Sequence, residues 1–131
     1  MQKFLKTVAK IFLFTILCFN FAYAADITGS GNEITEDSSV LQNINGNDTE
    51  LTIKNSATLE RGNNPIKTNT HLRATIVVES GATVSATSSN AIQAIDAGKG
   101  LSITNSGTVK AAASKAINLT DVEDATLTNN S

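Results

Sequence analysis

The sequence predicts an all-β fold, a parallel β-helix (solenoid) of about four coils with about 25 residues each. Apolar residues recur every 25 or 26 positions, alternate with polar residues over short stretches, and are followed by Gly or Asn. Two such recurring sets are Ile34, Leu59, Val84, Val109 and Leu41, Ile66, Ile92, Ile117. A fixed period of this length means that each repeat buries its apolar side by stacking on its neighbours.

The N-terminal segment 1–24 differs from the remainder of the chain. Basic residues up to Lys10 precede an apolar run over 11–21, and Ala22-Tyr23-Ala24 follows it. A basic start, a short apolar run and a small-x-small site are typical of a secretory signal peptide. We predict cleavage between Ala24 and Ala25 and no stable membrane span afterwards, because about 11 apolar residues fall short of the roughly 20 that cross a bilayer.

The region after the predicted cleavage site, 25–131, has a distinctive composition. It contains no Cys, Met, Phe, Tyr or Trp, and it carries 7 basic and 12 acidic side chains. An exported chain without cysteine depends on backbone pairing and aliphatic packing rather than on disulfides. An acidic balance without a basic stripe, and without these aromatic rings to stack on bases, argues against nucleic-acid binding.

Each predicted coil carries a strand signal followed by turn residues. The coils are predicted at about 26–50, 51–75, 76–100 and 101–125, with a partial fifth at 126–131. In Leu51-Thr-Ile53 and Leu101-Ser-Ile103, apolar and polar residues alternate with the period of a strand that has one buried face. Parallel strands of successive coils lie about 4.8 Å apart, so residues one repeat apart should form internal aliphatic columns.

Amide side chains also recur at one of the predicted corners. The repeat places Asn55, Asn105 and Asn129 in one column, with Ser80 in the coil between the first two. Stacked Asn side chains can form a ladder of amide hydrogen bonds. The sequence therefore predicts a partial amide ladder that Ser80 interrupts.

Two other interpretations fit parts of the pattern. Leucine-rich repeats have a similar period, but their Asn follows the last apolar strand residue by three positions, and they usually add a helix. Here Asn55 and Asn105 follow Ile53 and Ile103 by two. A disordered chain would suit the high content of short polar residues, but disorder requires no apolar period.

Candidate residues for chemistry are acids and cations at the predicted corners. They are Glu36, Asp37, Asp96, Asp121, Glu123, Asp124, Arg61 and Arg73. Asp96 and Asp121 are 25 residues apart and should lie on adjacent coils, with His71 at the equivalent place one repeat earlier. Two acids and one imidazole make a poor metal site, and dinucleotide, zinc-protease and nucleophile-elbow motifs are absent from the sequence. We therefore predict no enzyme activity, no cofactor and no catalytic or metal-binding residues.

Three segments of the last repeats are Leu101–Val109, Lys115–Asn118 and Ala125–Asn129, the last of which opens the next unit. At these residues the chain resembles the passenger regions of Gram-negative autotransporters, over roughly 50–131 and more loosely over 26–49. The resemblance implies a right-handed parallel β-helix that type V secretion carries to the outer surface. The sequence departs from that family because it has no translocator barrel with aromatic girdles. We therefore expect a piece of a longer passenger, whose open ends could pair with other chains.

This resemblance implies an exported structural or adhesive β-helix, with ligands on host or neighbouring cells as partners. Such a chain passes through the inner membrane and resides in the periplasm, at the cell surface or outside the cell. One alternative is a fragment of a β-helix enzyme that degrades polysaccharides. A small free periplasmic protein without catalytic activity is the other.

Overall fold

The computed structural model describes residues 24–96 and 99–131, so the predicted signal peptide lies outside the described residues except for Ala24. Over these ranges the chain is all-β and has no helix, hence none that could cross a membrane. The strands are β1 (Ala25–Ile27), β2 (Asn32–Ile34), β3 (Gln42–Ile44), β4 (Glu50–Ile53), β5 (Thr58–Arg61), β6 (Ile66–Asn69), β7 (Thr75–Val78), β8 (Thr83–Ala86), β9 (Ile92–Ile95), β10 (Ser102–Asn105), β11 (Thr108–Ala111), β12 (Ile117–Thr120) and β13 (Thr126–Asn129).

The strands form three parallel sheets that together make a β-solenoid, which confirms the predicted class of fold. Sheet 1 has the order β1-β3-β6-β9-β12, sheet 2 the order β2-β4-β7-β10-β13, and sheet 3 the order β5-β8-β11. Each coil passes through sheets 2, 3 and 1 in turn. About three turns of the described chain have a strand in every sheet, namely β4–β6, β7–β9 and β10–β12.

Two of the predicted aliphatic columns are present over these three turns. In sheet 3, Val84 pairs with Leu59 on one side and with Val109 on the other. Sheet 1 likewise stacks Ile92 between its neighbours Ile66 and Ile117. Parallel pairing keeps equivalent side chains on the same side of the sheet, so that each column is continuous across the coils.

The prediction is wrong for the first residue of each column. Ile34 pairs with Ile53 in sheet 2, and Ser38 is the residue that bridges to Leu59. In sheet 1, Gln42 takes the place opposite Ile66 that was predicted for its neighbour Leu41. The reason is that the first coil is shorter than the others and has only an isolated bridge in sheet 3.

The register of β10 also differs from the prediction. Ile76 pairs with Ile103 rather than with Leu101, and Val78 pairs with Asn105. The corners before β9 and β10 are each one residue longer than in the preceding coil, whereas only Ser106 and Gly107 connect β10 to β11. Leu101 is displaced into the corner before β10, where it is buried (2% exposed).

The core lies between the three sheets and is built of aliphatic side chains. Its largest fully buried members are Ile44, Leu51, Ile53, Leu59, Ile66, Ile76, Ile92, Leu101, Ile103, Val78 and Val84. Small residues fill the corner before sheet 3, where Ala57 and Ala82 are buried. In the next coil Gly107 holds the equivalent position. A Cβ at Gly107 would meet the carbonyl oxygens of Glu79 and Ala82. The two-residue corner therefore requires glycine, because the backbone of the neighbouring coil occupies the space of a side chain.

The interior also contains polar residues that the aliphatic columns did not predict. Thr68 is fully buried between Ile44 and Ala94 in sheet 1, and its hydroxyl has no hydrogen-bond partner among the described residues. Thr49 is buried as well, but its hydroxyl donates to the Gly46 carbonyl at 2.8 Å. A buried hydroxyl without a partner destabilises the folded state.

Candidate functional site

The predicted pair of acids lies at the corner between sheets 1 and 2. Asp96 and Asp121 directly follow β9 and β12, and the Asp96 N–H donates to the Thr120 carbonyl at 3.0 Å. Their placement on adjacent coils is thus confirmed. Both are exposed and have positive φ (47° and 52°), as does Asp124 at the far end of the same corner (51°). Asp tolerates this left-handed conformation better than most residues, so these acids suit the tight corner.

The predicted place of His71 in this column is wrong. The Thr70 N–H donates to the Asp96 carbonyl at 2.9 Å, so Thr70 is the residue one coil below Asp96. The spacing from β6 to β9 is 26 residues rather than 25, which moves His71 one position along the corner. There its Nε2 lies 3.2 Å from Asn45 Oδ1.

Two of the other candidate acids, Asp37 and Glu123, contact residues of adjacent coils. The Asp37 Oδ1 accepts a hydrogen bond from the Thr58 N–H at 2.8 Å, where β5 begins. Its neighbour Glu36 is exposed. Glu123 forms an ion pair with Lys99 at 3.0 Å, and both side chains are largely exposed. These acids lie at different corners of the solenoid, and the structure does not gather them into one constellation.

The two candidate arginines have different environments. Arg73 Nε and Nη2 donate to Asp48 Oδ1 and Oδ2 at 2.6 and 2.7 Å. This bidentate hydrogen bond lowers the pKa of Asp48 and raises the pKa of Arg73. Arg61 ends β5 beside Ala86, and its Nη1 is buried without a hydrogen-bond partner among the described residues.

Metal binding by clustered side chains is not indicated either. No group of three or more His, Cys, Asp or Glu residues within 24–96 and 99–131 is arranged to hold a metal ion. At the Asp96 and Asp121 corner, the neighbouring coil supplies Thr70 to that column instead of a third acid or an imidazole.

An ion-pair column along sheet 2 was not predicted from the sequence. Lys54 Nζ lies 3.2 Å from Glu33 Oε1 and 3.0 Å from Glu79 Oε1. Glu79 Oε2 also accepts the Asn55 N–H at 3.0 Å. The pKa of Glu79 is lowered mainly by the hydrogen bond from the Asn55 N–H and further by Lys54. In turn, Glu79 and Glu33 raise the pKa of Lys54. The 25-residue spacing of Lys54 and Glu79 could have predicted half of this column.

The predicted amide ladder is present between Asn105 and Asn129. Asn105 Nδ2 donates to Asn129 Oδ1 at 2.8 Å. Asn55 is not part of this ladder, because β10 is shifted and Val78 is the residue opposite Asn105. The ladder therefore links only the last two strands of sheet 2, and the prediction for Asn55 is wrong.

Polar side chains also connect adjacent coils at the corner between sheets 3 and 1. In each of these pairs a serine hydroxyl donates to an asparagine carbonyl oxygen one coil away, at 2.8 Å. The pairs are Ser88 with Asn63, Ser89 with Asn64, and Ser114 with Asn90. Hydrogen bonds of this kind help to hold neighbouring coils in register.

The outer face of sheet 2 carries mainly short hydroxyl side chains. Its two outward columns are Glu50, Thr75, Ser102, Thr126 and Thr52, Val77, Thr104, Thr128. Side chains of this length leave a flat polar surface with a regular spacing of about 4.8 Å between strands.

The C-terminal end of the solenoid contains a depression of about 410 Å³. Its lining residues are Asn105, Gly107, Thr108, Val109, Ala116, Ile117, Leu127, Asn129 and Ser131. The lining includes aliphatic side chains of all three sheets, which elsewhere point into the core. This recess therefore combines aliphatic and short polar side chains.

Comparisons with protein-family models, with curated proteins and with solved structures find no match for this chain.

Proposed function

We propose that this chain is an exported structural or adhesive β-helix, part of an autotransporter-like passenger that acts at the cell surface. The observation that carries the proposal is the stacking of coils around an aliphatic core, with short polar side chains outside. Stacked repeats of this kind build an extended body whose length grows with the number of coils. The proposal includes right-handed coiling, about four coils and a signal peptide over 1–24.

The use of the charged side chains favours a structural role over catalysis. Lys54, Arg73 and Glu123 each form an ion pair between adjacent coils. Asp96 and Asp121 occupy turn positions with positive φ. Chemistry-bearing groups are thus distributed along the solenoid and hold its coils together, whereas a catalytic site needs several of them to converge.

The adhesive part of the proposal concerns the outer face of sheet 2. Its rows of Thr and Ser hydroxyls can donate and accept hydrogen bonds in a repeated pattern. A partner with regularly spaced polar groups, such as a surface glycan of a host or neighbouring cell, suits this face. Many weak contacts of this kind add up when copies are displayed together on one cell.

Export can be tested by producing the full chain with a C-terminal tag in a Gram-negative host. We expect tagged protein in the periplasmic fraction, with the mass of a chain that begins at Ala25. A control with Ala22→Lys and Ala24→Lys should keep its N-terminal segment, because the cleavage site needs small residues. Recovery of the unaltered tagged chain in the cytoplasm, with residues 1–24 still attached, would contradict the proposal.

Surface display requires a second experiment. The chain, fused in frame to a translocator barrel, should become sensitive to protease added to intact cells. Display should also increase attachment to glycan-coated surfaces, and the double variant Thr75→Lys/Thr104→Lys on sheet 2 should reduce that increase. Equal attachment of cells with and without the displayed chain would rule out the adhesive role and leave the structural one.

A further inference from the structure

Asn45 and Gly46 form the one Asn-Gly dipeptide of the sequence, directly after β3 at the corner between sheets 1 and 2. Asn45 is exposed, and its main-chain N–H donates to the Ile27 carbonyl of the preceding coil at 2.9 Å. The Gly46 carbonyl accepts the hydroxyl of the fully buried Thr49 at 2.8 Å. The peptide bond between Asn45 and Gly46 is therefore held from both sides, although the Asn45 side chain faces water.

The main-chain nitrogen of Gly46 is available for chemistry at this corner. Its N–H has no hydrogen-bond acceptor among the described residues. A Cβ at this position would meet Thr28 Cγ2 and Thr49 Oγ1, each at 3.2 Å, whereas glycine has no side chain to shield its own nitrogen. Attack of this nitrogen on Cγ of Asn45 closes a five-membered ring, and the closeness of the two groups along the chain makes the step unimolecular.

Residues of the two adjacent coils orient the side-chain amide of Asn45. Asp26 Oδ2 lies 3.5 Å from Asn45 Nδ2, and Asp26 Oδ1 accepts a hydrogen bond from Asn43 Nδ2 at 2.7 Å. On the other side, His71 Nε2 lies 3.2 Å from Asn45 Oδ1. A carboxylate only accepts hydrogen bonds, so the amide nitrogen faces Asp26 and the amide oxygen faces the imidazole. An N–H at His71 Nε2 donates to the oxygen on which negative charge develops when Cγ is attacked.

We propose that Asn45-Gly46 is a self-modification site, where the side-chain amide is converted to a carboxyl group through a succinimide. The Gly46 nitrogen forms a bond to Asn45 Cγ, the Cγ–Nδ2 bond breaks, and the proton of the Gly46 N–H leaves with Nδ2 as ammonia. Water then opens the ring at either carbonyl, which gives aspartate, or isoaspartate with the main chain running through Cβ and Cγ. Water is the only co-reactant, and the inference does not depend on export or on adhesion.

A carboxylate at position 45 changes the contacts of this corner. The oxygen that replaces Nδ2 faces Asp26, so a contact between an amide and a carboxylate becomes one between like charges. Isoaspartate also lengthens the main chain between the N–H that pairs with Ile27 and the carbonyl that accepts from Thr49. Both products therefore loosen the attachment of β1 to β3, and the first coil loses stability as the protein ages.

Incubation of the purified full chain at neutral pH, followed by digestion and tandem mass spectrometry, measures the conversion. We expect the mass change of an NH2-to-OH exchange at Asn45, with isoaspartate among the products. Asn47 is the internal control, because it is exposed at the same corner but precedes Asp48, and its Oδ1 accepts the Leu72 N–H at 2.9 Å. A synthetic peptide of residues 41–50 gives the time that the reaction takes without the neighbouring coils. An unchanged Asn45 after the peptide has converted would overturn the proposal, as would equal conversion of Asn47.

Variants of His71 and Gly46 test the parts that these residues play. His71→Ala removes the donor to Asn45 Oδ1 and should slow the conversion about three- to tenfold, the effect of one hydrogen bond of ordinary net strength. His71→Gln retains an N–H donor and should recover part of the rate. If His71 only kept the corner in shape, His71→Ala would loosen the Asn-Gly segment, and an equal or faster conversion would overturn the role of the imidazole. Gly46→Ala should nearly abolish the conversion, and rapid conversion of that variant would contradict attack by an unshielded nitrogen.

Discussion

The two ends of the solenoid are built differently although both belong to the same kind of repeat. At the N-terminal end the coil is short: Ile27 pairs with Ile44 after 17 residues, whereas Leu59 pairs with Val84 after 25. The Asn32 side chain there donates to backbone carbonyls, including that of Glu50 at 2.9 Å. At the C-terminal end the coil has its full width, and Leu119 remains 37% exposed.

This difference shows how an end of a parallel β-solenoid can be closed. The first coil tapers, so it presents less apolar surface, and the Asn32 side chain bridges backbone carbonyls of the first two coils. The last coil has neither feature, since its composition is that of an internal repeat. Terminal repeats that differ from the internal ones are typical of caps, and the first coil of the described residues differs in this way.

The largest difference we expect is between two leucine-to-alanine variants in the same inward column of sheet 2. One leucine lies in the core near the N-terminal end, and the other lies at the C-terminal end. Leu51 is fully buried, and Leu51→Ala should lower the free energy of unfolding by roughly 2–5 kcal/mol through lost burial and a cavity. Leu127 belongs to the same column but is 50% exposed, and Leu127→Ala should cost under about 1 kcal/mol. Urea unfolding of the two variants measures both values. Equal losses would mean that the C-terminal end is as well covered as the interior.

The next effect concerns the two-residue corner between β10 and β11, within the last full coil. Gly107→Ala brings a Cβ against the carbonyl oxygens of Glu79 and Ala82 and should destabilise the protein by roughly 1–3 kcal/mol. Gly62→Ala is the matched control, because the nearest atom to its Cβ would be Ser88 Oγ at 3.6 Å. The midpoint of thermal unfolding should fall for the first variant and stay near that of the unaltered protein for the second. A neutral Gly107→Ala would contradict the close approach of the coils at this corner.

A smaller effect separates the polar side chains of the two ends. Asn32→Ala removes hydrogen bonds to the carbonyls of Gly29 and Glu50 and should cost about 1 kcal/mol. Asn130→Ala at the other end removes one long contact to Ser106 Oγ (3.3 Å) and should have little effect. The urea midpoints of the two variants provide the comparison. If Asn130→Ala proved the more damaging, the C-terminal end would be the one that polar side chains close.

The smallest effect is the pH dependence of the ion-pair column beside β4. The pKa of Glu79 lies below its ordinary value of 4.5, because the Asn55 N–H and Lys54 favour the carboxylate. Its contribution to stability is therefore fully present above pH 4.5 and is lost as the pH falls through the lower folded-state pKa. Glu79→Gln should lower the urea midpoint slightly at pH 7 and have less effect at pH 3. Glu36→Gln, at an exposed carboxyl group, controls for the change in net charge, and a pH-independent effect of Glu79→Gln would refute the assigned pairing.

The fold was predictable from the sequence as far as the period is regular. The columns through Val84 and Ile92 follow from spacing alone, because parallel coils of constant length place equivalent residues on one another. The shift of β10 was not predictable in this way. Leu101 and Ile103 are both aliphatic and either suits an inward position, so the choice depends on corner lengths that an apolar period does not encode. The position of Ile34 was predicted wrongly for the same reason, because the first coil is shorter than the others.

The candidate site was predictable to a similar extent. The stacking of Asp96 and Asp121 follows from their 25-residue spacing, but a 26-residue coil below them puts Thr70 where His71 was expected. The pairing of Lys54 with Glu79 was within reach of the same spacing rule. Its second partner, Glu33, was not, because it belongs to the short first coil. Corner lengths thus limit the prediction of surface chemistry as well as that of the core.

Disulfide crosslinking across β7 and β10 tests the stacked register most directly. The region 25–131 contains no cysteine, so an added pair has no competitors. Val77 and Thr104 are Cα partners, and at a strand spacing of about 4.8 Å the double variant Val77→Cys/Thr104→Cys should oxidise readily to an intramolecular disulfide. Val77→Cys/Ser102→Cys corresponds to the regular 25-residue register and should crosslink poorly, because the diagonal distance is roughly 8 Å. Efficient crosslinking of the second pair but not of the first would contradict the shifted register, and failure of both would contradict the parallel stacking itself.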